Sequence, residues 1–323
     1  MTKAIRIHAT GGPEVMKWED IEVGAPGPGQ ALVRHTAVGF NFIDIYHRNG
    51  LYPLPLPHPI GMEGAGIIEA LGKGVKDLKI GQRVAYAGGT PGSYSEKRLI
   101  AADQLVAVPS GIKDEEAAAM MLKGMTAEYL LRRTYKVKKG DTILIHAAAG
   151  GVGLIVCQWA KALGAKVIGT VSTDEKAALA KKHGCHYPIV TAKEDFVARV
   201  NAITKGKGVP VVYDSVGVDT FDKSLECIAK RGVLALFGQS SGAVPPVPTT
   251  TLVKRGIFLT RPSLFTYNGT REELVASSRA LFGAVKSGKV KIRINHTYPL
   301  ADAAKAHEDV AARKTTGSVI LTL

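Results

Sequence analysis

Residues 142–153 read Thr-Ile-Leu-Ile-His-Ala-Ala-Ala-Gly-Gly-Val-Gly. The opening apolar run suits a buried strand. Ala148 to Gly153 then fit the pattern G-x-G-x-x-G with alanine in the first position. A helical pattern follows over 151–163, and a second apolar run over 166–171. Strand, glycine loop, helix and strand in that order form the unit that offers a pyrophosphate the free amides and positive dipole end of a helix N-terminus. Gly150 lets the backbone approach the phosphates, with Gly151 and Val152 completing the loop. Gly153 lets the helix pack on the strand. A tight strand-to-helix turn that binds nothing would use the same small residues.

Outward from this loop the alternation continues. Further apolar runs stand at 210–213, 232–238 and 256–260, with helical patterns at 174–183, 194–204 and 220–230 between them. Short strands separated by helices predict a doubly wound α/β domain on a parallel sheet. Upstream the texture differs. Residues 31–38, 64–71 and 82–87 read as short strands, and prolines at 53, 55, 57 and 59 predict an extended surface loop over 51–60. A helix with acids at its start is expected from Lys113 onward, another at 271–286, and a last strand at 318–323.

The second strand of the unit ends Gly169-Thr170-Val171-Ser172-Thr173, with no Asp or Glu to hold a ribose 2′-hydroxyl, and Lys176 follows. Small hydroxyls (Ser172, Thr173) and a cation suit a 2′-phosphate, so NADPH is expected rather than NADH. A competing reading makes Ser172 and Glu175 a capping box and Lys176 a solvated first-turn lysine.

Charge is uneven along the 323 residues, whose formal net is +14. Residues 123–265 hold 21 basic and 10 acidic residues, whereas 1–122 hold 12 and 13. A phosphate partner would explain the sign, and so would solubility. With 46% hydrophobic and 22% charged residues, a mainly disordered chain is excluded. Cys157, Cys185 and Cys227 are scattered and odd in number, so no disulfide framework or C-x-x-C site is expected and a reducing, cytoplasmic setting is favoured. The charged N-terminus shows no secretion signal, and the uncharged span 142–160 carries His146, Gln158 and a glycine loop, unlike a membrane segment.

These features carry a resemblance. The runs GMEGAG (61–66), GQRV (81–84), NFIDIY (41–46), GLYP (50–53), LKGMTA (122–127), HAAAGGVG (146–153), YDSVG (213–217), FGQSSG (237–242) and TRPSL (260–264) are similar to those of the medium-chain dehydrogenase/reductase superfamily. More narrowly they resemble its zinc-independent, zeta-crystallin-like NADPH:quinone oxidoreductases, over essentially the whole chain. The resemblance implies a GroES-like β-rich catalytic domain from 1–122 and 266–323, and a Rossmann NADPH-binding domain from 123–265. Zinc-dependent relatives carry a Cys ligand where Asn41 stands and a His where Met62 stands, so no metal is expected. The three cysteines are expected on Rossmann helices, and Glu63 is left as a structural acceptor.

The same resemblance implies a nicotinamide site lined by Asn41, with Tyr46 and Tyr52 presenting rings and hydroxyls to a flat acceptor. Lys123, Thr126 and Tyr129 are expected on the cofactor, as are Ser215, Gly217, Phe237, Gln239, Ser240, Leu264 and Phe265 after the later strands. Each has a plainer reading: Tyr46 and Tyr52 as packing residues, Lys123 as a snorkelling lysine, Phe237 as core. Asp44 is expected to cap a short helix. Thr191 stands where close relatives often place a tyrosine near the 2′-phosphate.

The expected reaction is hydride or electron transfer from NADPH to a quinone, or another electrophilic acceptor, and the resemblance implies that quinones are often reduced by one electron to semiquinones. The alternative is reduction of an activated C=C bond in a 2-alkenal or enoyl substrate, with Tyr52 or solvent giving the proton. An RNA-binding or crystallin-like structural role ranks behind both, since no RNA motif or aromatic platform is readable. A homodimer is expected through the edge strand at 256–260.

Overall fold

The computed structural model describes all residues, Met1–Leu323. In chain order the strands are β1 (Thr2–Ile7), β2 (Met16–Ile21), β3 (Gln30–Phe40), β4 (His58–Pro59), β5 (Glu63–Leu71), β6 (Arg83–Ala87), β7 (Lys97–Ala101), β8 (Val106–Ala107), β9 (Thr142–Ile145), β10 (Lys166–Val171), β11 (Tyr187–Val190), β12 (Val209–Asp214), β13 (Ile228–Leu236), β14 (Phe258–Thr260), β15 (Ile294–Pro299) and β16 (Ser318–Thr322). The helices are α1 (Phe42–Arg48), α2 (Asp114–Tyr129), α3 (Gly151–Ala162), α4 (Asp174–Lys182), α5 (Phe196–Thr204), α6 (Phe221–Cys227), α7 (Leu264–Tyr267), α8 (Arg271–Lys286) and α9 (Ala303–Ala311). A π-helical turn, Leu130–Thr134, follows α2 directly.

The chain divides into two compact units. One holds Met1–Met125, Asn268–Lys286 and Ile292–Leu323, the other Thr126–Tyr267 and Ser287–Lys291. Lys123, grouped by the sequence reading with residues 123–265, therefore lies in the first unit.

The first unit is built on a sheet ordered β15-β16-β3-β5-β6-β8, with β7 on β3, and a small sheet ordered β2-β1-β4. Pairing is antiparallel except between β15 and β16. The proline-rich segment is not all loop. His58–Pro59 pairs with β1 at the sheet edge, where a proline does not break a ladder bond. One core cluster gathers Ile5, Ile7, Val38, Phe40 and Ile60 with Leu300 and Val319, and a second gathers Ala31, Val33, Ile68, Val84 and Leu105.

The second unit is the doubly wound α/β domain that the strand–helix alternation predicts. Its strands are all parallel, in the order β11-β10-β9-β12-β13-β14. The order reverses between β9 and β12, the switch point at which such sheets bind ligands. Leu144, Ile168, Val212 and Leu234 on neighbouring strands are fully buried in one cluster with Phe196, Val200 and Phe221 of the covering helices.

Three local expectations are corrected. The helix expected over 220–230 ends at Cys227, because β13 already begins at Ile228 and bonds to β12. The cap of α4 is Thr173, whose Oγ1 accepts from the Lys176 amide at 3.3 Å, not Ser172. Cys157 and Cys227 lie in α3 and α6, but Cys185 lies in the turn after α4; all three are buried free thiols.

Candidate active site

The glycine loop occupies the end of β9 as the motif requires. Gly150 is the N-cap of α3 in extended conformation, and no side chain caps the helix. Its first-turn amides are thus left for an anion. A Cβ on Gly153 would stand 2.3 Å from the Ala147 carbonyl oxygen and 2.7 Å from that of Ala148, so only glycine fits. The tight turn itself falls on Ala147, which takes the left-handed region at φ +52°. That conformation stores strain in a non-glycine residue, a feature that clusters at ligand sites.

At the end of β10, Ser172 and Thr173 are exposed and Lys176 is half-buried on the first turn of α4. Thr191 turns its hydroxyl to the Val171 carbonyl at 3.2 Å. The turns after β12 and β13 are stitched together. Ser240 N donates to Ser215 O at 3.1 Å, Ser241 N to Val216 O at 2.8 Å, and Gly217 bridges Gly242. Gly217 has φ +98°, and a Cβ there would meet the Gly242 carbonyl at 2.5 Å. Phe237, Gln239 and Ser240 are half-buried in the second of these turns; Leu264 is buried and Phe265 exposed on α7. Thr126 and Tyr129 are both buried, and Tyr129 stacks on Tyr267 with centroids 4.5 Å apart and planes within 9°.

In the first unit, Asn41 opens α1, and the Asp44 carboxylate accepts from its backbone amide at 2.8 Å. Asp44 thus does cap the helix from inside. The Asn41 side chain shares in this capping box and also reaches Glu63, donating from Nδ2 to Oε2 at 2.7 Å. Lys123 Nζ reaches the same oxygen at 3.0 Å, and the Leu122 amide donates to Oε1 at 2.8 Å. Glu63 is fully buried and Lys123 nearly so. Lys123 is therefore half of a buried ion pair, not a snorkelling lysine.

A second chain of bonds supports Asn41 from behind. Tyr94 OH donates to Asp44 Oδ2 at 3.0 Å, His307 Nε2 lies 3.2 Å from Tyr94, and Arg48 Nη1 lies 3.0 Å from His307 Nδ1. Burial pushes the Asp44 carboxyl up to about 7, against the Asn41 amide and Tyr94 hydroxyl that favour its charged form. Burial, helped by the Arg48 charge, holds His307 well below the usual range. His307 is then neutral, accepting from Arg48 and donating to Tyr94. Above this support, Tyr46 and Tyr52 meet edge to face at 5.1 Å, with Phe42 5.4 Å from Tyr46.

The residues around Glu63 do not fit a zinc ion. Its carboxylate is filled by an ammonium and two amides, and no group of three or more His, Cys, Asp or Glu side chains is placed to hold a metal. Sequence reading missed His146, Thr170, Asp214 and Ser224, four polar residues buried beside the candidate site. For His146, Thr170 and Asp214 the one signal was polarity inside or just after apolar strands; Ser224, in a helix that also carries Asp222, Lys223 and Glu226, gave none.

Residues 27–110 match the family described as "Alcohol dehydrogenase GroES-like domain" and residues 151–278 that described as "Zinc-binding dehydrogenase". The chain is 52% identical to the "Quinone oxidoreductase" of Pseudomonas aeruginosa, with 99% of each chain covered. It is 47% identical to the "2-haloacrylate reductase" of a Burkholderia species, again with 99% of each covered. The solved structure of Escherichia coli quinone oxidoreductase complexed with NADPH superposes with a TM-score of 0.98 at 48% identity, covering 100% of both chains. The chain belongs to the quinone oxidoreductase family of the medium-chain dehydrogenase/reductase superfamily.

Proposed function

We propose that this protein is an NADPH-dependent quinone reductase that works without zinc. The observation that carries the reading is the uncapped α3 N-terminus at the switch point of the parallel sheet, with Ser172, Thr173 and Lys176 and no acid at the end of β10. When bound, NADPH supplies a hydride. The protein's part is to hold and orient. Gly150, Gly151, Val152 and Gly153 cradle the pyrophosphate, and Lys176 meets the 2′-phosphate. Thr126, Tyr129, Ser215, Gly217, Phe237, Gln239, Ser240, Leu264 and Phe265 line the remainder of the dinucleotide. Asn41, fixed by Glu63 and Asp44, orients the reacting end, while Lys123 holds Glu63 in place and adds positive charge near it. Tyr46 and Tyr52 offer flat faces to the acceptor. A quinone reduced by hydride becomes a stabilised hydroquinone anion and takes its proton from solvent.

The second reading is favoured by the 47% identical 2-haloacrylate reductase. There, hydride goes to the β-carbon of an activated C=C bond and Tyr52 or solvent protonates the α-carbon. Steady-state rates with 1,4-benzoquinone and with 2-alkenals or 2-chloroacrylate separate the two. Turnover of alkenes alone would sink the quinone reading. Binding of NADPH and NADH to wild type and Lys176→Ala tests the cofactor. A variant that keeps its preference for NADPH removes Lys176 from the 2′-phosphate site.

The reading extends to assembly and setting. β14 is an edge strand of the parallel sheet, and Phe258 on it is 64% exposed. Pairing with a copy of itself would cover it, so a homodimer is expected, and a monomer by light scattering would overturn this. A cytoplasmic setting is part of the same proposal, and the three thiols, none in a disulfide, support it. No helix is long and apolar enough to cross a membrane.

A further inference from the structure

Four buried polar side chains form one unbroken chain beneath the loops at the switch point. His146, the residue after β9, is 1% exposed; Thr170 is 4% exposed, and Asp214 and Ser224 are fully buried. His146 Nδ1 lies 2.8 Å from Thr170 Oγ1, and Nε2 lies 2.8 Å from Ser224 Oγ. Ser224 Oγ donates to Asp214 Oδ2 at 3.0 Å. A hydroxyl has one hydrogen, so Ser224 must accept from His146. The proton of the imidazole therefore sits on Nε2, and Nδ1 accepts from Thr170. Burial lowers the affinity of His146 for a second proton, in keeping with this neutral tautomer.

Asp214 passes the order on to backbone. Its Oδ1 accepts from the amides of Val216 at 2.8 Å and Gly217 at 3.1 Å, and the Thr220 hydroxyl reaches both carboxylate oxygens. The carboxylate thus shapes the turn that holds Ser215 and Gly217. At the other end, Thr170 lies two residues before Ser172 on β10, and its carbonyl accepts from the Ala148 amide of the glycine loop at 3.0 Å. The groups are those of a hydrolytic triad, but the order is wrong for one. Serine lies between histidine and aspartate, and its oxygen is out of reach of solvent.

We propose that the Thr170–His146–Ser224–Asp214 chain is a positioning device that holds three loops in one arrangement: the glycine loop, the segment carrying Ser172 to Lys176, and the turn carrying Ser215 and Gly217. It rests on the NADPH reading, since these are the loops assigned to the dinucleotide. The four residues are positioning residues; none touches the cofactor. Because the links run through side chains from separate strands and a helix, cutting one end disturbs the loop at the other.

The test uses Ser224→Ala, which cuts the middle, and Thr170→Val, which cuts the far end, with Thr170→Ser as the conservative control. NADPH binding is read by the fluorescence of its reduced nicotinamide, and loop order by hydrogen exchange at amides 215–217. The expected result is an NADPH Kd about 5- to 30-fold weaker in Ser224→Ala and Thr170→Val. The quinone KM stays within about 2-fold of wild type, a split that general loosening would not give. Exchange at 215–217 rises even in Thr170→Val, whose substitution lies on a different strand, and Thr170→Ser restores both. Wild-type NADPH affinity in both cut variants overturns the inference while leaving the cofactor reading intact. Weaker binding without faster exchange at 215–217 in Thr170→Val also overturns it, since the effect would then be local. Failure of the wild type itself to bind NADPH overturns the cofactor reading and this inference with it.

Discussion

Replacing Lys123 by methionine tests the account of the first unit most directly. The substitution keeps the length and apolar stem of the side chain but removes the ammonium 3.0 Å from Glu63 Oε2. Glu63 is fully buried, so its charge has no water to fall back on. Removing one partner of a buried pair costs about 3–5 kcal/mol. The Asn41 and Leu122 amides still donate to the carboxylate, which places the expected loss near the lower end, about 3 kcal/mol. For a unit of this size each kcal/mol moves the melting temperature by roughly 2–4 °C, so Lys123→Met should melt roughly 6–12 °C lower. Glu63→Gln alone should also destabilise, by stranding the ammonium. The double variant should recover much of the loss, because no buried charge is left and the Asn41 amide can turn to accept from the new glutamine. Thermal unfolding followed by circular dichroism measures all four proteins. A Lys123→Met protein within about 1 kcal/mol of wild type, or a double variant whose losses simply add, would refute the buried-pair argument.

Two further expectations follow from groups placed by the fold. Asp44 binds its proton with a pKa of about 7 in the folded protein, against about 3.9 in an unfolded chain. The folded state therefore holds a proton that the unfolded state has released between about pH 4 and about pH 7. The stability from this group is fully present below about pH 4 and is lost as the pH rises through about 7, an amplitude on the order of 4 kcal/mol. Asp44→Asn removes that slope, so the wild-type urea midpoint should fall relative to that of the variant between about pH 4 and about pH 7; parallel curves over that range would contradict the burial of an ionisable carboxyl. Gly153→Ala places a Cβ against two backbone carbonyls that cannot swing aside. It should cost roughly 1–3 kcal/mol and weaken NADPH binding at least about tenfold by calorimetry, and unchanged affinity would count against the cradle.

The second unit was the more legible half, for a physical reason. Strands buried on both faces must be continuous apolar runs, and the helices between them must show one apolar face, so runs such as 142–145 and 166–171 announce themselves. The glycine loop was legible because its constraint is local: Gly153 lies against Ala147 and Ala148, a few residues away. Errors arose where two local rules compete over the same residues. Ser172 and Thr173 are both good N-caps, and the helix starts one residue later than the capping-box reading puts it, so that Thr173 accepts from the Lys176 amide. Ile228 continues the helical pattern of Thr220 onward, yet the pairing of β13 with β12 claims it for a strand.

The buried charges were the illegible part, and they are what organises both candidate half-sites. Read one position at a time, Glu63, Lys123, Asp44 and Asp214 are surface residues, since such groups are rarely buried unpaired. Their partners are remote in sequence. Lys123 lies 60 residues from Glu63, Tyr94 50 from Asp44, and Ser224 78 from His146. Hydrophobic periodicity carries no information about such pairs; it fixes which face is buried, not which polar group on another strand will arrive opposite. Their cost also explains where they sit. A buried carboxylate is tolerable only where several donors converge, and donors converge where strands end and helices begin. Glu63 opens β5, Asp214 closes β12 and Asp44 sits in the first turn of α1. Each is held at an element terminus, and each fixes a neighbouring segment that the NADPH and quinone readings require to be rigid. Other charges of residues 123–265 take no part in this: Lys193, Arg199 and Lys223 sit in exposed pairs with Asp174, Glu194 and Asp195. Such pairs contribute little to stability. On the proposed reading, the chemistry of this chain depends on a few charged side chains hidden from its surface, while the abundant visible ones set solubility and the sign of the long-range field.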